Sequence, residues 1–145
     1  MKAVIQRTGK TSLSVDGKLI SEIPFGLTVY FGVEVGDTEK QAEAFAKKIV
    51  RLRIFEDENG KMNKSVLDVK GEILFVSQFT LLADCSHGNR PDFIAAERPE
   101  KAELLYERTA ELMRGYGVTV KTGVFGADMK ISQYNDGPVT IVYEI

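Results

Sequence analysis

From Leu27 to Val33, apolar Leu27, Val29, Phe31 and Val33 alternate with Thr28, Tyr30 and Gly32, the period-two pattern of a strand with one buried face. Gly36-Asp37 closes it. The period then changes: Ala42, Phe45, Ala46, Ile49 and Val50 recur at helical spacing behind a Thr38/Gln41 capping box, which predicts an amphipathic helix over about 38–52. A second helix is predicted over 99–115, with Pro99 in its first turn and Ala102, Leu105, Tyr106, Thr109, Leu112 and Met113 as its inner stripe. The segment Ile73 to Leu82 is apolar on both faces until a distal polar cluster, which predicts a central strand. Residues 1–7 read as a short strand, and Ser12 to Ser21 as a hairpin turning at Asp16-Gly17. Further strands are expected at 118–120, 129–134 and 139–143, the last two joined by a turn at Asn135-Asp136-Gly137-Pro138. This order implies an α+β fold, a mostly antiparallel, barrel-like sheet covered by two helices.

Composition narrows the classes. At 145 residues and 43% apolar content the chain fits one domain, 1–145, without linker, repeat or low-complexity segment. No apolar run nears the roughly 20 residues of a membrane span, so no membrane partner is expected and a cytoplasmic location is. One cysteine, Cys85, excludes an intrachain disulfide framework; with only His87 beside it, too few soft ligands exist for a built-in metal site, and no cofactor is expected. A net charge of −2 argues against sequence-blind wrapping of nucleic acid and against DNA as a partner. Any RNA must be gripped locally.

Polar residues crowd one end of the predicted central strand. Ser77, Gln78 and Thr80 fall within four residues after a continuously apolar run, and a buried hydroxyl or amide left unpaired costs about 1–3 kcal/mol. They are either satisfied within the fold or line a site. Thr80 could be a nucleophile, but a hydroxyl needs a base and the lone His87 sits in a polar loop. Cys85 and His87 are two apart, whereas catalytic partners usually meet from distant positions. Catalysis here would rest on positioning, oxyanion donors and substrate chemistry such as an RNA 2′-hydroxyl. Asn135-Asp136-Gly137-Pro138 is also ordinary turn chemistry, Arg90 can be solvated or hold a phosphate, and Lys47, Lys48, Arg51 and Arg53 can form a plain solvated helix face.

Ser77-Gln78-Phe79-Thr80-Leu81 and Asn135-Asp136-Gly137-Pro138-Val139-Thr140 resemble, in order and separation, the two signature motifs of D-aminoacyl-tRNA deacylases. The resemblance covers the whole chain, through Gly88-Asn89-Arg90-Pro91 and Phe125-Gly126-Ala127-Asp128-Met129; Asp92 stands where the family more often has serine. It implies hydrolysis of the ester in D-aminoacyl-tRNA, extending to mischarged glycyl-tRNA, with the aminoacylated 3′ end of tRNA as substrate. It also implies a homodimer with active sites at the subunit interface. Ser77, Gln78, Phe79 and Thr80 would line the catalytic site, the Phe79 amide serving the carbonyl oxygen. A cis Gly137-Pro138 from the partner, held by Arg7, would reject L-amino acids, and Phe125 and Met129 would pack on adenine. Two alternatives stay open: a threonine-dependent hydrolase of small D-amino acid esters, and an RNA-binding module without chemistry.

Overall fold

The computed structural model describes all 145 residues. Its organising element is β1 (Lys2–Val15), a single 14-residue strand where a short strand and a separate hairpin arm are predicted. β1 stays continuous because three neighbours satisfy its backbone. β2 (Lys18–Ile23) pairs antiparallel with its second half and β3 (Gly26–Gly32) with its first half, while β8 (Met129–Glu144) runs antiparallel along its other edge for the whole length. The turn at Asp16-Gly17 is present, with both residues at positive φ.

β8 corrects a second expectation. The segments at 129–134 and 139–143 are not two strands of a hairpin but halves of one strand, both paired with β1 in the same sense. Between the paired positions Asn135 and Thr140 β8 has four residues, where β1 has only Arg7 between Thr8 and Gln6. The excess leaves the ladder as a bulge carrying Asp136, Gly137 and Pro138. A smaller irregularity lies in β1 between Thr8 and Thr11. Each bulge adds an odd number of residues and so reverses the side-chain alternation of its strand.

β6 (Glu72–Ser77) lies parallel to β3, and β7 (Val120–Thr122) parallel to β6, so the mostly antiparallel sheet carries two parallel pairs at one end. Curling brings β2 toward β7, where the Ser21 hydroxyl donates to the Thr122 carbonyl at 2.6 Å and Lys121 Nζ to the Glu22 carbonyl at 2.6 Å. The barrel is thereby nearly closed, around Leu13, Ile23, Leu74 and Val76. A two-stranded excursion, β4 (Phe55–Glu56) and β5 (Met62–Lys64), brackets the turn at 57–60.

Two helices cover the other face. α1 (Glu39–Arg51) starts as its sequence dictates, with the Thr38 amide donating to Gln41 Oε1 at 3.1 Å, and buries Ala42, Phe45, Ala46, Ile49 and Val50. α2 (Pro99–Gly115) buries Ala102, Leu105, Tyr106, Thr109, Ala110 and Met113. Between helices and sheet lies the larger core, built on Phe31 against Phe45 at 5.2 Å and Phe75 against Tyr106 at 4.8 Å. Met1 closes one end: its ammonium binds Asp37 Oδ1 at 2.9 Å and the Ile145 carbonyl at 3.1 Å. No helix is long and apolar enough to cross a membrane.

Candidate active site

The apolar run of β6 ends where the site begins. The strand stops at Ser77 rather than continuing to Leu82, and the Gln78 amide makes the last ladder bond, to the Phe31 carbonyl at 2.8 Å. Residues Phe79–Leu82 then form one 3₁₀ turn. Gly32 permits this: a Cβ there would stand 2.4 Å from Leu82 Cδ2 and 2.9 Å from the Gln78 carbonyl, so only glycine lets the turn settle across the end of β3. As the first residues of the turn, Phe79 and Thr80 have amides that lie ahead of its internal i→i+3 bonds.

Three walls close around this strand end to form a cleft of about 710 Å³. The first is Val76, Ser77, Gln78 and Phe79. The second is the start of α2, held beside the end of β3 by bonds from Glu97 N to the Val33 carbonyl and from Val35 N to the Ala95 carbonyl, each 2.9 Å. The third is the loop after β7, which carries Phe125 and leads into Met129 and Ile131 of β8. Aromatic rings dominate the lining: Phe79 meets Phe93 edge-on at 5.0 Å, and Phe125 lies 5.9 Å from Tyr106. Phe79 keeps 57% of its surface exposed, so a ring face is free for a flat apolar ligand.

Charge in the cleft is largely compensated. Glu97 accepts from Lys101 Nζ at 2.7 Å and from the Arg98 amide at 2.9 Å, and these bonds hold its carboxyl below the usual range. Asp128 pairs with Lys130 at 2.9 Å. The Tyr106 phenol titrates far above its ordinary value because burial disfavours the phenolate; its hydroxyl donates to the Phe75 carbonyl at 2.7 Å. None of these groups is a free base. His87 is exposed in the loop beyond the 3₁₀ turn and does not line the cleft, and Cys85 is exposed in the same loop. No group of three or more His, Cys, Asp or Glu side chains converges in the chain.

The sequence-derived residues divide into two places. Ser77, Gln78, Phe79, Phe125 and Met129 meet in the cleft. Thr80 stands just outside the lining, exposed, its hydroxyl 2.5 Å from Gln78 Nε2. Arg7, Gly137 and Pro138 form a second group. Arg7 is buried on β1, where Nη1 donates to the Ile54 carbonyl at 3.0 Å and Nε to the Asp136 carbonyl at 3.2 Å, with Asp136 Oδ2 also 3.2 Å from Nε. The guanidinium thus clasps the bulge that carries Gly137 and Pro138, whose peptide bond is cis. Arg7 lies opposite Leu27 in the ladder, whereas the cleft begins at Phe31. Four residues of β3, roughly 13 Å, separate the bulge from its own chain's cleft.

Sequence reasoning passed over Phe93, Glu97 and Arg98 as lining residues. Phe93 offered one signal, an isolated aromatic closing an otherwise polar loop. Glu97 and Arg98 offered none, because only the pairing of residues 95–97 with 33–35 brings them to the cleft.

A family model described as D-Tyr-tRNA(Tyr) deacylase matches residues 4–144. The D-aminoacyl-tRNA deacylases of Bacillus cytotoxicus and of a Bacillus cereus strain are 53% and 54% identical over 144 residues, covering 99% of both chains in each case. Among solved structures, one named c-Myc DNA Unwinding Element Binding Protein superposes with TM-score 0.92 at 46% identity, over 100% of this chain and 99% of that one. A probable eukaryotic D-amino acid tRNA deacylase shares the fold, with TM-score 0.84 at 18% identity over 99% and 98% of the two chains.

Proposed function

Because this chain belongs to the D-Tyr-tRNA(Tyr) deacylase family, we propose a mechanism in which its cleft receives the aminoacylated 3′ end of tRNA and the substrate supplies the reactive hydroxyl. The protein is an ester hydrolase of the D-aminoacyl-tRNA deacylase type. One observation carries the proposed route: the cleft combines the Phe79 amide, at the head of the 3₁₀ turn, with aromatic walls, yet holds no free base. In the route, adenine packs among Phe125, Met129 and the neighbouring rings, and the ester carbonyl oxygen accepts from the Phe79 amide. That donor stabilises the negative charge developing on the oxygen. The terminal 2′-hydroxyl assists water in attacking the ester, which yields free D-amino acid and tRNA. Ser77 and Gln78 orient the aminoacyl group, and Thr80 steadies Gln78 through their hydrogen bond.

Selection of the hand belongs to Gly137-Pro138 of a second copy. Support comes from position, since the bulge lies roughly 13 Å along β3 from its own cleft and is exposed. β8 also pairs with β1 alone, and its inward residues Val139, Ile141 and Tyr143 are only half-buried. A homodimer joined over this strand covers that surface and lends each cleft its partner's loop. An L side chain then meets the loop carbonyls, a D side chain points outward, and glycine passes. The whole chain acts as one domain.

The test uses D-Tyr-tRNA, L-Tyr-tRNA, D-Tyr-tRNA ending in 2′-deoxyadenosine, and the ethyl ester of D-tyrosine. Hydrolysis of the first far above that of the other three is the expected result. Equal turnover of the ethyl ester would favour a threonine-dependent esterase, and tRNA binding without hydrolysis a binding module. Undiminished cleavage of the 2′-deoxy substrate would rule out assistance by the RNA.

A further inference from the structure

The bulge in β8 is flanked by a set of amide side chains that the route above does not use. Tyr30 Oη donates to Gln133 Oε1 at 3.1 Å, Gln133 Nε2 donates to Gln6 Oε1 at 2.8 Å and also to Asn135 Oδ1, and Gln6 Nε2 donates to Thr140 Oγ1 at 3.2 Å. Gln133 and Asn135 precede the bulge; Thr140 follows it. In the ladder Gln133 faces Thr11 and Gln6 faces Thr140, so an unbulged ribbon would hold the two glutamines apart. The paired bulges reverse the alternation in both strands and set the glutamines on one side.

We infer that Gln6 and Gln133 form a strap across the base of the bulge, fixing where Gly137-Pro138 projects and so acting as positioning residues for discrimination between D and L substrates. Arg7 holds the loop from the helix-covered side, through the Asp136 carbonyl and carboxylate. The strap holds it from the other side, joining the strand before the loop to the strand after it. Tyr30 anchors the strap to β3 by donating to Gln133, and burial raises the titration of its phenol above the ordinary value. The inference rests on the proposed role of Gly137-Pro138 in rejecting L-amino acids.

Hydrogen-bond polarity provides a test that simple loss of packing would not mimic. In Gln6→Glu the carboxylate still accepts from Gln133, and the Thr140 hydroxyl turns to donate. In Gln133→Glu the amides of Gln6 and Asn135 can rotate to donate, and Thr140 again adapts. Either single change keeps the strap. The double variant sets two carboxylates in opposition and cannot keep it, and Gln6→Leu removes the link altogether.

The measurement is the ratio of kcat/KM for D-Tyr-tRNA to that for L-Tyr-tRNA in the full-length protein, with thermal unfolding followed alongside and Pro138→Ala as reference. The ratio should stay within about twofold of native in each single Glu variant. It should fall roughly three- to tenfold in the double variant and in Gln6→Leu, as expected for losing one or two hydrogen bonds. Native ratios in both of those variants, with a lowered ratio in Pro138→Ala, would overturn the strap and leave the loop's role standing. A native ratio in Pro138→Ala would remove the loop's role and the strap with it. Should the double variant not fold, the contrast between Gln6→Leu and Gln6→Glu decides the matter alone.

Discussion

Gly137 is the residue at which backbone and proposed chemistry meet most directly. Its φ of +126° is a conformation L side chains rarely adopt, and an added Cβ would lie 2.9 Å from Val139 N and 3.2 Å from Arg7 Nη2. Gly137→Ala is therefore expected to cost about 1–3 kcal/mol in thermal unfolding and to lower D-Tyr-tRNA hydrolysis, since the loop must shift. An unchanged melting temperature and rate would contradict both. Thr80 calls for the opposite outcome: exposed and outside the cleft lining, it should retain most activity as Thr80→Ala, and mass spectrometry should find no acyl-Thr80 species. His87→Ala should likewise be silent. At this scale the sequence was informative where a residue type is dictated by chemistry. Ser77, Gln78 and Thr80 stand out in the chain as a polar cluster after an apolar run, whereas Arg7 and Gly137-Pro138 are pointed to only by the family resemblance. Phe93, Glu97 and Arg98 could not be singled out, because they reach the cleft through a pairing between segments about sixty residues apart, which no local pattern encodes.

Among the elements, the helices were read almost to the residue, since a capping box and a 3.6-residue period leave little freedom over 13 or 17 residues. Strands were harder. The run from Ile73 to Leu82 looks like one strand because Phe79, Leu81 and Leu82 prolong the apolar pattern, yet a 3₁₀ turn buries Leu82 just as well once Gly32 makes room. Gly32→Ala should accordingly displace that turn and the Phe79 amide with it, lowering kcat/KM for D-Tyr-tRNA by at least tenfold while leaving most helical circular dichroism intact. Native kinetics would show that the turn does not depend on the glycine. The hairpin expected at 135–138 failed for a related reason: Asn-Asp-Gly favours positive φ in a bulge as readily as in a turn. What decided between them was the length of β1, long enough to pair both halves of β8.

For the molecule as a whole, layered packing and an unpaired strand have separate consequences. Phe45, fully buried between Phe31 and Tyr143, should cost about 3–5 kcal/mol as Phe45→Ala, read from chemical denaturation, with the fold otherwise retained. β8 has a partner on one edge only, and light scattering is expected to give the mass of two chains. A fully active monomer would sink the proposal of shared sites, as would a mixed dimer whose activity ignored loop mutations in the partner. The two sites are also fastened by different forces. Aromatic and aliphatic packing builds the cleft, whereas the bulge is tied by Arg7 to an Asp136 carboxylate that is more than half exposed. Dissolved ions weaken the second attachment and hardly touch the first. Accuracy and speed of editing therefore become separable by the solvent alone: from low to molar salt, with D-Tyr-tRNA and L-Tyr-tRNA each at saturating concentration so that weaker tRNA binding does not enter, the enzyme should become careless before it becomes slow.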